Sequence, residues 1–323
     1  MSALWIKQLP SVRGSYVCND ILKKYVWFGV GGPADLVFKP EDTEDLSVFL
    51  KSVPSYVPVY ILGVGSNVLV RDSGIRGVVV RLGRGFNYIK RTEEGIVVGA
   101  STLDRNLAGF AAACGIGGLE FLSTIPGTIG GALRMNAGCY GSEIKDRLLW
   151  AKALDLSGEI HIVSRDEMVF RYRSCAVDPS WIFVEACFEG ISSTPELITG
   201  KMEELLKRRE ESQPLRSKTG GSTFRNPENL SAWELIDKVG YRGKSLNGAQ
   251  ISEKHCNFLI NKDNASAADL EQLGENVRQK VYNDLGVALH WEVVRLGDVN
   301  YSKKLTLSDS GKGILKNSYE KKE

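Results

Sequence analysis

The stretch that decides the fold is Ile61–Val70, "ILGVGSNVLV", where an apolar run breaks at two glycines and two short polar residues. Gly63 and Gly65 allow the backbone to turn tightly and to approach a ligand closely. Ser66 and Asn67, with the exposed N–H groups of such a turn, are suited to holding a phosphate. No Gly-Lys-Ser/Thr follows, so the stretch is not a P-loop. A plain structural turn is the alternative.

A second glycine-rich run, "STIPGTIGGALRMNAGCYG", covers Ser123–Gly141. Glycines at this density allow the backbone to pack closely against a large ligand. Two such runs in one domain favour a pyrophosphate-containing cofactor over two structural turns. The candidate cofactor-binding residues are Gly63, Gly65, Ser66, Asn67, Pro126, Gly127, Gly130, Gly131, Asn136 and Gly138.

Short β-branched runs around these glycines predict strands that begin near Asp35, Val57, Gly77, Gly95 and Trp181. Between them, "STLDRNLAGFAAACG" predicts a helix with Ser101 or Thr102 as its N-cap and Gly115 as its end. Its predicted buried face is Leu103, Leu107, Phe110 and Cys114. This half of the chain is therefore predicted to be an α+β domain.

The second half predicts three helices and a strand. Apolar spacing indicates one helix over 195–212 and another in "SAADLEQLGENVRQKVYNDLG", which ends at Gly286. Between them, "SAWELIDKVG" predicts a helix that begins with a capping box of Ser231 and Glu234. The run "VALHWEVVRLG" then predicts a strand with Leu289, Trp291 and Val293 on one face and Glu292 on the other. The polar tail after about Asp298 lacks a hydrophobic period and is predicted to be disordered.

Length and composition exclude several classes of protein. The 323 residues suggest about two domains, since domains have roughly 100–200 residues each. A net charge of +2 gives no bulk preference for nucleic acid, and no apolar run reaches the roughly 20 residues that span a membrane. The six cysteines and three histidines are scattered without metal-binding spacing. We expect a cytoplasmic protein without a metal, a nucleic-acid partner, a membrane partner or an obligate protein partner.

Five motifs in order carry a resemblance to a known family: "ILGVGSNVLVRDSGIRGVVVRL", "LSTIPGTIGGALRMNAGCYG", "YRSC", "GGSTFRNP" and "LHWEVVRLG". From Phe28 to Gly297 the chain resembles the UDP-N-acetylenolpyruvoylglucosamine reductases, in the shorter of their two types. The resemblance implies a vanillyl-alcohol-oxidase type FAD-binding domain in two α+β parts, followed by a smaller α+β substrate-binding domain. The implied boundaries are 1–27 for a lead-in, 28–193 for the FAD domain, 194–297 for the substrate domain and 298–323 for the tail.

The resemblance also implies the reaction, in which NADPH reduces bound FAD and the reduced flavin reduces the enolpyruvyl group of UDP-N-acetylglucosamine enolpyruvate. The product is UDP-N-acetylmuramate, a peptidoglycan precursor. Arg173 matches the family's arginine and Glu292 its acid, which together would stabilise the enolate. Ser222, in "SKTGGSTFRNP", matches the family's proton donor. From residue type alone, Arg173 and Glu292 would be solvated surface residues and Ser222 a turn serine.

The same resemblance suggests polar residues that contact the UDP-sugar: Lys218, Arg225, Asn226, Gln250, Lys254, His255 and Asn257. Each could equally be an ordinary polar surface residue. Two other functions stay open on the sequence: another FAD oxidase or dehydrogenase of the same fold, and a flavin- or nucleotide-binding regulatory module without chemistry.

Overall fold

The structure, a computed structural model, describes residues 4–298. Its first lobe is a four-stranded sheet in the order β1-β2-β5-β3, where β1 is antiparallel and the other strands are parallel. One helix and a short separate strand complete the lobe. The elements are β1 (Ser15–Ile21), β2 (Pro33–Lys39), α1 (Thr43–Ser52), β3 (Val59–Ile61), β4 (Val68–Val70) and β5 (Ile75–Val80).

The second lobe is a five-stranded antiparallel sheet in the order β12-β11-β13-β7-β6. A large apolar core that includes Leu107, Leu133 and Phe188 fills the space between this sheet and its helices. The elements are β6 (Ile89–Arg91), β7 (Ile96–Gly99), α2 (Asp104–Ala113), β8 (Ile116–Gly117), α3 (Ile129–Met135), β9 (Gly138–Cys139), β10 (Ser142–Glu143), β11 (Leu148–Leu154), β12 (Ile160–Ser164), β13 (Ile182–Phe188) and β14 (Ile191–Ser192).

The third lobe is a four-stranded antiparallel sheet, β15-β18-β17-β16, covered by two helices. The longer helix buries Leu270, Leu273, Val277 and Val281 at helical spacing. The elements from residue 195 onward are α4 (Pro195–Ser212), β15 (Thr219–Ser222), α5 (Ala232–Lys238), β16 (Ser245–Leu246), β17 (Ala249–Ile251), β18 (Phe258–Asn261), α6 (Ala267–Leu285) and β19 (Val294–Leu296).

Strand β19 joins the third lobe to the first. It pairs in parallel with β4, so that Val294 lies beside Val68 and Leu296 beside Val70. Arg71, directly after β4, forms a two-pronged ion pair with Glu271 of α6, and both side chains are mostly buried. The segment around Glu292 is therefore held against the glycine turn that precedes β4.

The sequence predicted the main elements well but missed some details. The helix at 195–212 and the five strands of the first half are present. Helix α2 begins at Asp104 instead, and it buries Leu107, Ala108, Ala111 and Ala112, because the core covers the small alanine face rather than Phe110 and Cys114. The predicted capping box of Ser231 and Glu234 is wrong, because the side chain of Ser231 makes no capping bond. Instead, Oδ1 of Asn226 accepts from Ala232 N at 3.0 Å.

The predicted strand at 287–297 was largely wrong, since only Val294–Leu296 lies in a ladder. The residues before it are extended, with one isolated bridge between Trp291 and Phe224. Leu289 and Val293 are nevertheless buried as the alternation predicted.

Helix α4 packs against α2 and β8 of the second lobe, although the predicted boundary at 194 assigns it to the substrate domain. The division into 1–27, 28–193, 194–297 and 298–323 stays a prediction. Within residues 4–298, no helix combines the length and the apolar character that a membrane span requires. The predicted disordered tail lies outside the described residues, except for Asp298.

Candidate active site

The turn between β3 and β4 offers a row of unused backbone donors. Within residues 4–298, the N–H groups of Gly63, Val64, Gly65 and Ser66 donate to no protein acceptor. Gly65 has a φ of 67°, and a Cβ atom on it would overlap the carbonyl oxygen of Tyr25, so that only glycine fits there. Successive free N–H groups in such a turn form a concave site for an anion.

The second glycine-rich run lies against this turn. A Cβ atom on Gly63 would lie 2.8 Å from the Oγ1 atom of Thr128, so the two segments meet at a glycine. Gly131 is exposed, and nothing except Thr128 lies within 4 Å of the Cβ position it lacks. Gly130 is fixed by a bond from its N–H to Ala100 O, 2.9 Å long. The two runs therefore form one site with an open side.

Asp104 lies directly behind the second run. Its side chain is fully buried, both carboxyl oxygens have no bonding partner among the described residues, and a Cβ atom on Gly127 would lie 2.5 Å from Oδ2. Burial raises the pKa of Asp104 well above its usual value, because the ion would lose its hydration. Nothing in the sequence distinguished this aspartate from a solvated one.

We expect Asp104→Asn to make the protein less sensitive to pH. When the pKa of a carboxyl is higher in the folded than in the unfolded protein, its contribution to the free energy of unfolding is full below the unfolded pKa of about 3.9. That contribution is lost as pH rises through the folded pKa. The wild-type free energy of unfolding should therefore fall, relative to that of the variant, by about 1.4 kcal/mol per pH unit above about pH 4. Denaturant unfolding from pH 4 to pH 8 measures this difference. The exposed Asp166, changed to asparagine, is the control, and equal pH slopes for Asp104→Asn and wild type would contradict the buried acid.

Arg173 occupies the tip of a tight turn between β12 and β13. Arg171 and Ser174 exchange backbone bonds of 2.9 and 3.2 Å, which leaves Tyr172 and Arg173 as the two central residues. Arg173 has a φ of 55°, which is a left-handed conformation. Residues other than glycine adopt it rarely, and those that do are concentrated at functional sites. Its guanidinium lies 4.9 Å from the centre of the Tyr172 ring.

Two residues predicted to bind the cofactor support this turn. Asn136 is fully buried, and its Nδ2 donates to Arg171 O at 3.2 Å and to Glu143 at 2.9 Å. The carbonyl oxygen of Gly138 accepts from Nη2 of Arg173 at 3.2 Å. Both residues thus hold the arginine in place, and their cofactor contacts stay predictions.

Glu292 faces Arg173 although 119 positions separate them in sequence. The Nε of Arg173 donates to Oε1 of Glu292 at 3.0 Å, and the two side chains are 20% and 13% exposed. Burial raises the pKa of Glu292 above its usual value, and this effect exceeds the opposing attraction of Arg173 and Arg225. The site therefore favours the neutral acid more than a surface glutamate would.

Ser222 ends strand β15, next to the segment that holds Glu292. Its hydroxyl bonds to no group among residues 4–298, whereas Thr223 O accepts from Glu292 N at 2.8 Å. Before it, Gly220 packs so closely on the Phe28 ring that a Cβ would overlap it. Gly221 has a φ of 77° and open space around it, and the β15–β18 register shifts between Thr219 and Ser222. The bulge leaves the hydroxyl of Ser222 free to contact a ligand.

The predicted substrate residues fall into two groups. The side chain of Asn257 bonds to the N–H and the C=O of Phe224 at 2.9 and 2.8 Å. Gln250 donates to Gly243 O, and Lys254 to Glu210 O. His255 accepts from Asn257 N at 3.3 Å. These residues and Asn226 have protein partners, so their substrate contacts stay predictions.

Arg225 and Lys218 have donors to spare. The Nε of Arg225 is buried and, among the described residues, has no partner, while Arg225 N donates to His290 O at 2.8 Å beside Glu292. Lys218 is exposed and lies alongside Gly29. A buried guanidinium nitrogen without a partner is costly unless a ligand accepts from it. Arg225 is therefore the best-supported candidate for a contact with an anionic substrate.

The free amides, the left-handed Gly65 and the open glycine surface fit a dinucleotide cofactor. A family model described as an FAD binding domain matches residues 34–164, which contain both glycine runs. The fold and the site thus define the class of FAD-binding flavoproteins. A second model, the C-terminal domain of UDP-N-acetylenolpyruvoylglucosamine reductase, matches residues 213–296, which contain Ser222 and Glu292. The chain belongs to the UDP-N-acetylenolpyruvoylglucosamine reductase family.

Individual relatives support this membership over most of the chain. The UDP-N-acetylenolpyruvoylglucosamine reductase of Rhodospirillum rubrum is 52% identical over 297 residues, which cover 90% of this chain and 93% of the relative. That of Rhodopseudomonas palustris strain HaA2 is 51% identical over 290 residues, covering 90% and 94%. The crystal structure of the Thermus caldophilus enzyme is 33% identical with a TM-score of 0.77, covering 89% of this chain and all of that one. The predicted family, fold and FAD cofactor are confirmed.

Proposed function

We propose that the chain catalyses the NADPH-dependent reduction of enolpyruvyl-UDP-N-acetylglucosamine to UDP-N-acetylmuramate. Family membership at about 50% identity over nine-tenths of the chain supports the reaction. The observation that carries the residue roles is the meeting of Arg173, Glu292 and the Ser222 segment from three separate parts of the chain. FAD, when bound, supplies hydride transfer from NADPH to the vinyl carbon of the substrate.

The residues of the chain manage the charge and the proton. Reduction of a vinyl group beside a carboxylate places negative charge on that carboxylate and the adjacent carbon. Arg173, held by Gly138 and Glu292, is a rigid two-pronged donor suited to both carboxylate oxygens. Glu292 in its neutral form donates a hydrogen bond to the same charge, which the ion would repel.

Ser222 then gives its hydroxyl proton to the adjacent carbon. A serine hydroxyl is a weak acid, so the resulting alkoxide needs a positive neighbour. Arg225 and Lys218 lie on the same segment, and both retain donors for such a contact. This assignment of roles, the contacts with the UDP-sugar, the cytoplasmic location and the lack of an obligate partner are proposals.

The assay is NADPH consumption by the purified flavoprotein without oxygen, with and without enolpyruvyl-UDP-N-acetylglucosamine. We expect a flavin spectrum and catalytic NADPH consumption only when the substrate is present, with one UDP-N-acetylmuramate formed per NADPH. Turnover that needs oxygen and ignores the enolpyruvyl substrate would show an oxidase of the same fold. A bound flavin with neither activity would show a binding module.

A further inference from the structure

The turn between β3 and β4, residues 63–67, is called the cofactor turn below. Asn67 links this turn to the segment of Glu292 through both its backbone and its side chain. Its carbonyl oxygen accepts from Val294 N at 3.0 Å, and its Nδ2 donates to the carbonyl oxygen of Glu292 at 3.2 Å. The two bonds therefore hold the backbone at Val294 and at Glu292. Asn67 therefore fixes the direction of the chain where the acid emerges.

The other side of this segment is held by the strand that carries Ser222. Glu292 N donates to Thr223 O at 2.8 Å, and Arg225 N donates to His290 O at 2.8 Å. Among residues 4–298, the Asn67 amide is the one side-chain donor to the Glu292 carbonyl. The backbone of Glu292 is thus bonded on one side to the Ser222 segment and on the other side to the cofactor turn.

We propose that Asn67 is a positioning residue that couples cofactor binding to the placement of Glu292. The proposal rests on the proposed function, in which Glu292 is the acid that meets the substrate carboxylate. The N–H groups of Gly63 to Ser66 receive the cofactor, and the last residue of the same turn uses its amide to hold Glu292. Filling the turn therefore also fixes the acid.

The sequence assigned Asn67 to the cofactor, and the structure gives its side chain a different partner. A side-chain amide that donates to a main-chain carbonyl across two lobes stabilises one backbone path. Glu292 has to stay beside Arg173 and in the buried position that raises its pKa. A displacement of about 1 Å can cost about 100-fold in rate when a reacting group must be aligned.

The test uses Asn67→Ala and Asn67→Asp in the full chain. The first removes the side-chain donor, and the second removes it while keeping the size of the side chain. Hydrogen exchange of the segment 289–297, measured by mass spectrometry without substrate, should become faster in both variants. At saturating FAD, the rate of flavin reduction by NADPH should change by less than about twofold, and the reaction of the reduced flavin with the substrate should slow by about 10- to 100-fold.

The pH dependence gives a further readout that a merely structural role would not move. Arg173 and Arg225 are the charged groups that face Glu292, and both favour its ionised form. If Glu292 becomes less buried, its pKa falls toward the usual value, because the desolvation effect weakens. The loss of activity at high pH should therefore begin at a lower pH in Asn67→Ala than in the wild type.

Ser66→Ala is the matched control in the same turn, since it changes a neighbouring polar side chain that has no bond to Glu292. It should weaken FAD binding without faster exchange in 289–297 and without a change in the pH profile. If the Asn67 variants behave like Ser66→Ala, Asn67 serves the cofactor alone and the inference is wrong. Glu292→Ala separates the two failures: a normal rate in that variant overturns the proposed role of the acid itself.

Discussion

Ser222→Ala is expected to slow the reaction of reduced flavin with the enolpyruvyl substrate by about 100- to 10,000-fold, the usual range for loss of a positioned proton donor. Reduction of the flavin by NADPH should change by less than about twofold, because that step needs no proton from Ser222. Stopped-flow absorbance of the flavin, with each half-reaction started separately, gives both rates.

Ser222→Ala removes the hydroxyl without disturbing any bond within residues 4–298. The Ser222 hydroxyl has no partner within the described chain, so its removal leaves no buried group without a bond. The backbone bonds of Thr223 and the Gly220–Phe28 contact stay in place. Stability should therefore stay within about 0.5 kcal/mol of the wild type.

Ser245→Ala is the matched control, since Ser245 is an exposed serine on β16, the opposite edge of the same sheet. It should leave both half-reactions unchanged. Equal losses in the two half-reactions of Ser222→Ala would mean that Ser222 supports the flavin site as a whole, and the role as proton donor would be withdrawn.

Glu292→Ala is expected to have an effect of similar size on the same half-reaction, about 100- to 10,000-fold. The alanine removes a donor to the developing charge and leaves the Nε of Arg173 without the carboxyl oxygen that accepts from it. Glu292→Gln keeps a neutral donor of the same length, so its loss should be clearly smaller. The comparison of the two variants separates the loss of the hydrogen bond from the loss of the acid.

The pH profile of these variants fixes the protonation state. The neutral acid is the proposed active form, so the wild-type rate of the substrate half-reaction should fall as pH rises through the raised pKa of Glu292. Glutamine does not ionise, so Glu292→Gln should lose that alkaline fall. A wild-type rate that increases with pH over the same range would show that the ionised form is the active one. An unchanged alkaline fall in Glu292→Gln would show that a group other than Glu292 causes it.

The sequence predicted local structure where the cause is local. The helix Pro195–Ser212 follows from apolar spacing and from Thr194, whose hydroxyl accepts from Leu197 N. The Gly63–Gly65 turn follows from the need for a left-handed residue. The extended segment before β19 was predicted as a strand, but its partners, Thr223 and Phe224, lie almost 70 positions away, and only an isolated bridge forms.

The candidate site was predictable only in part. The resemblance pointed to Arg173, Ser222 and Glu292, but no pattern in the sequence indicates that Arg173 donates a hydrogen bond to Glu292. No pattern in the sequence indicated that Asp104 is buried or that the side chain of Asn67 donates to the carbonyl oxygen of Glu292. The predicted polar contacts at Gln250 and Asn257 were chosen by residue type, which cannot show that these side chains already bond within the protein.

The sequence by itself determined the α+β class and the two glycine runs, because glycine sterics and apolar periodicity act between near neighbours. The family, and with it the FAD cofactor, came from the resemblance carried by five ordered motifs. Only the tertiary structure decided that Glu292 is buried beside Arg173, that its pKa is raised and that Asn67 holds its backbone. Desolvation and charge interaction depend on which distant segments meet, and this is a property of the packed chain rather than of any stretch of it.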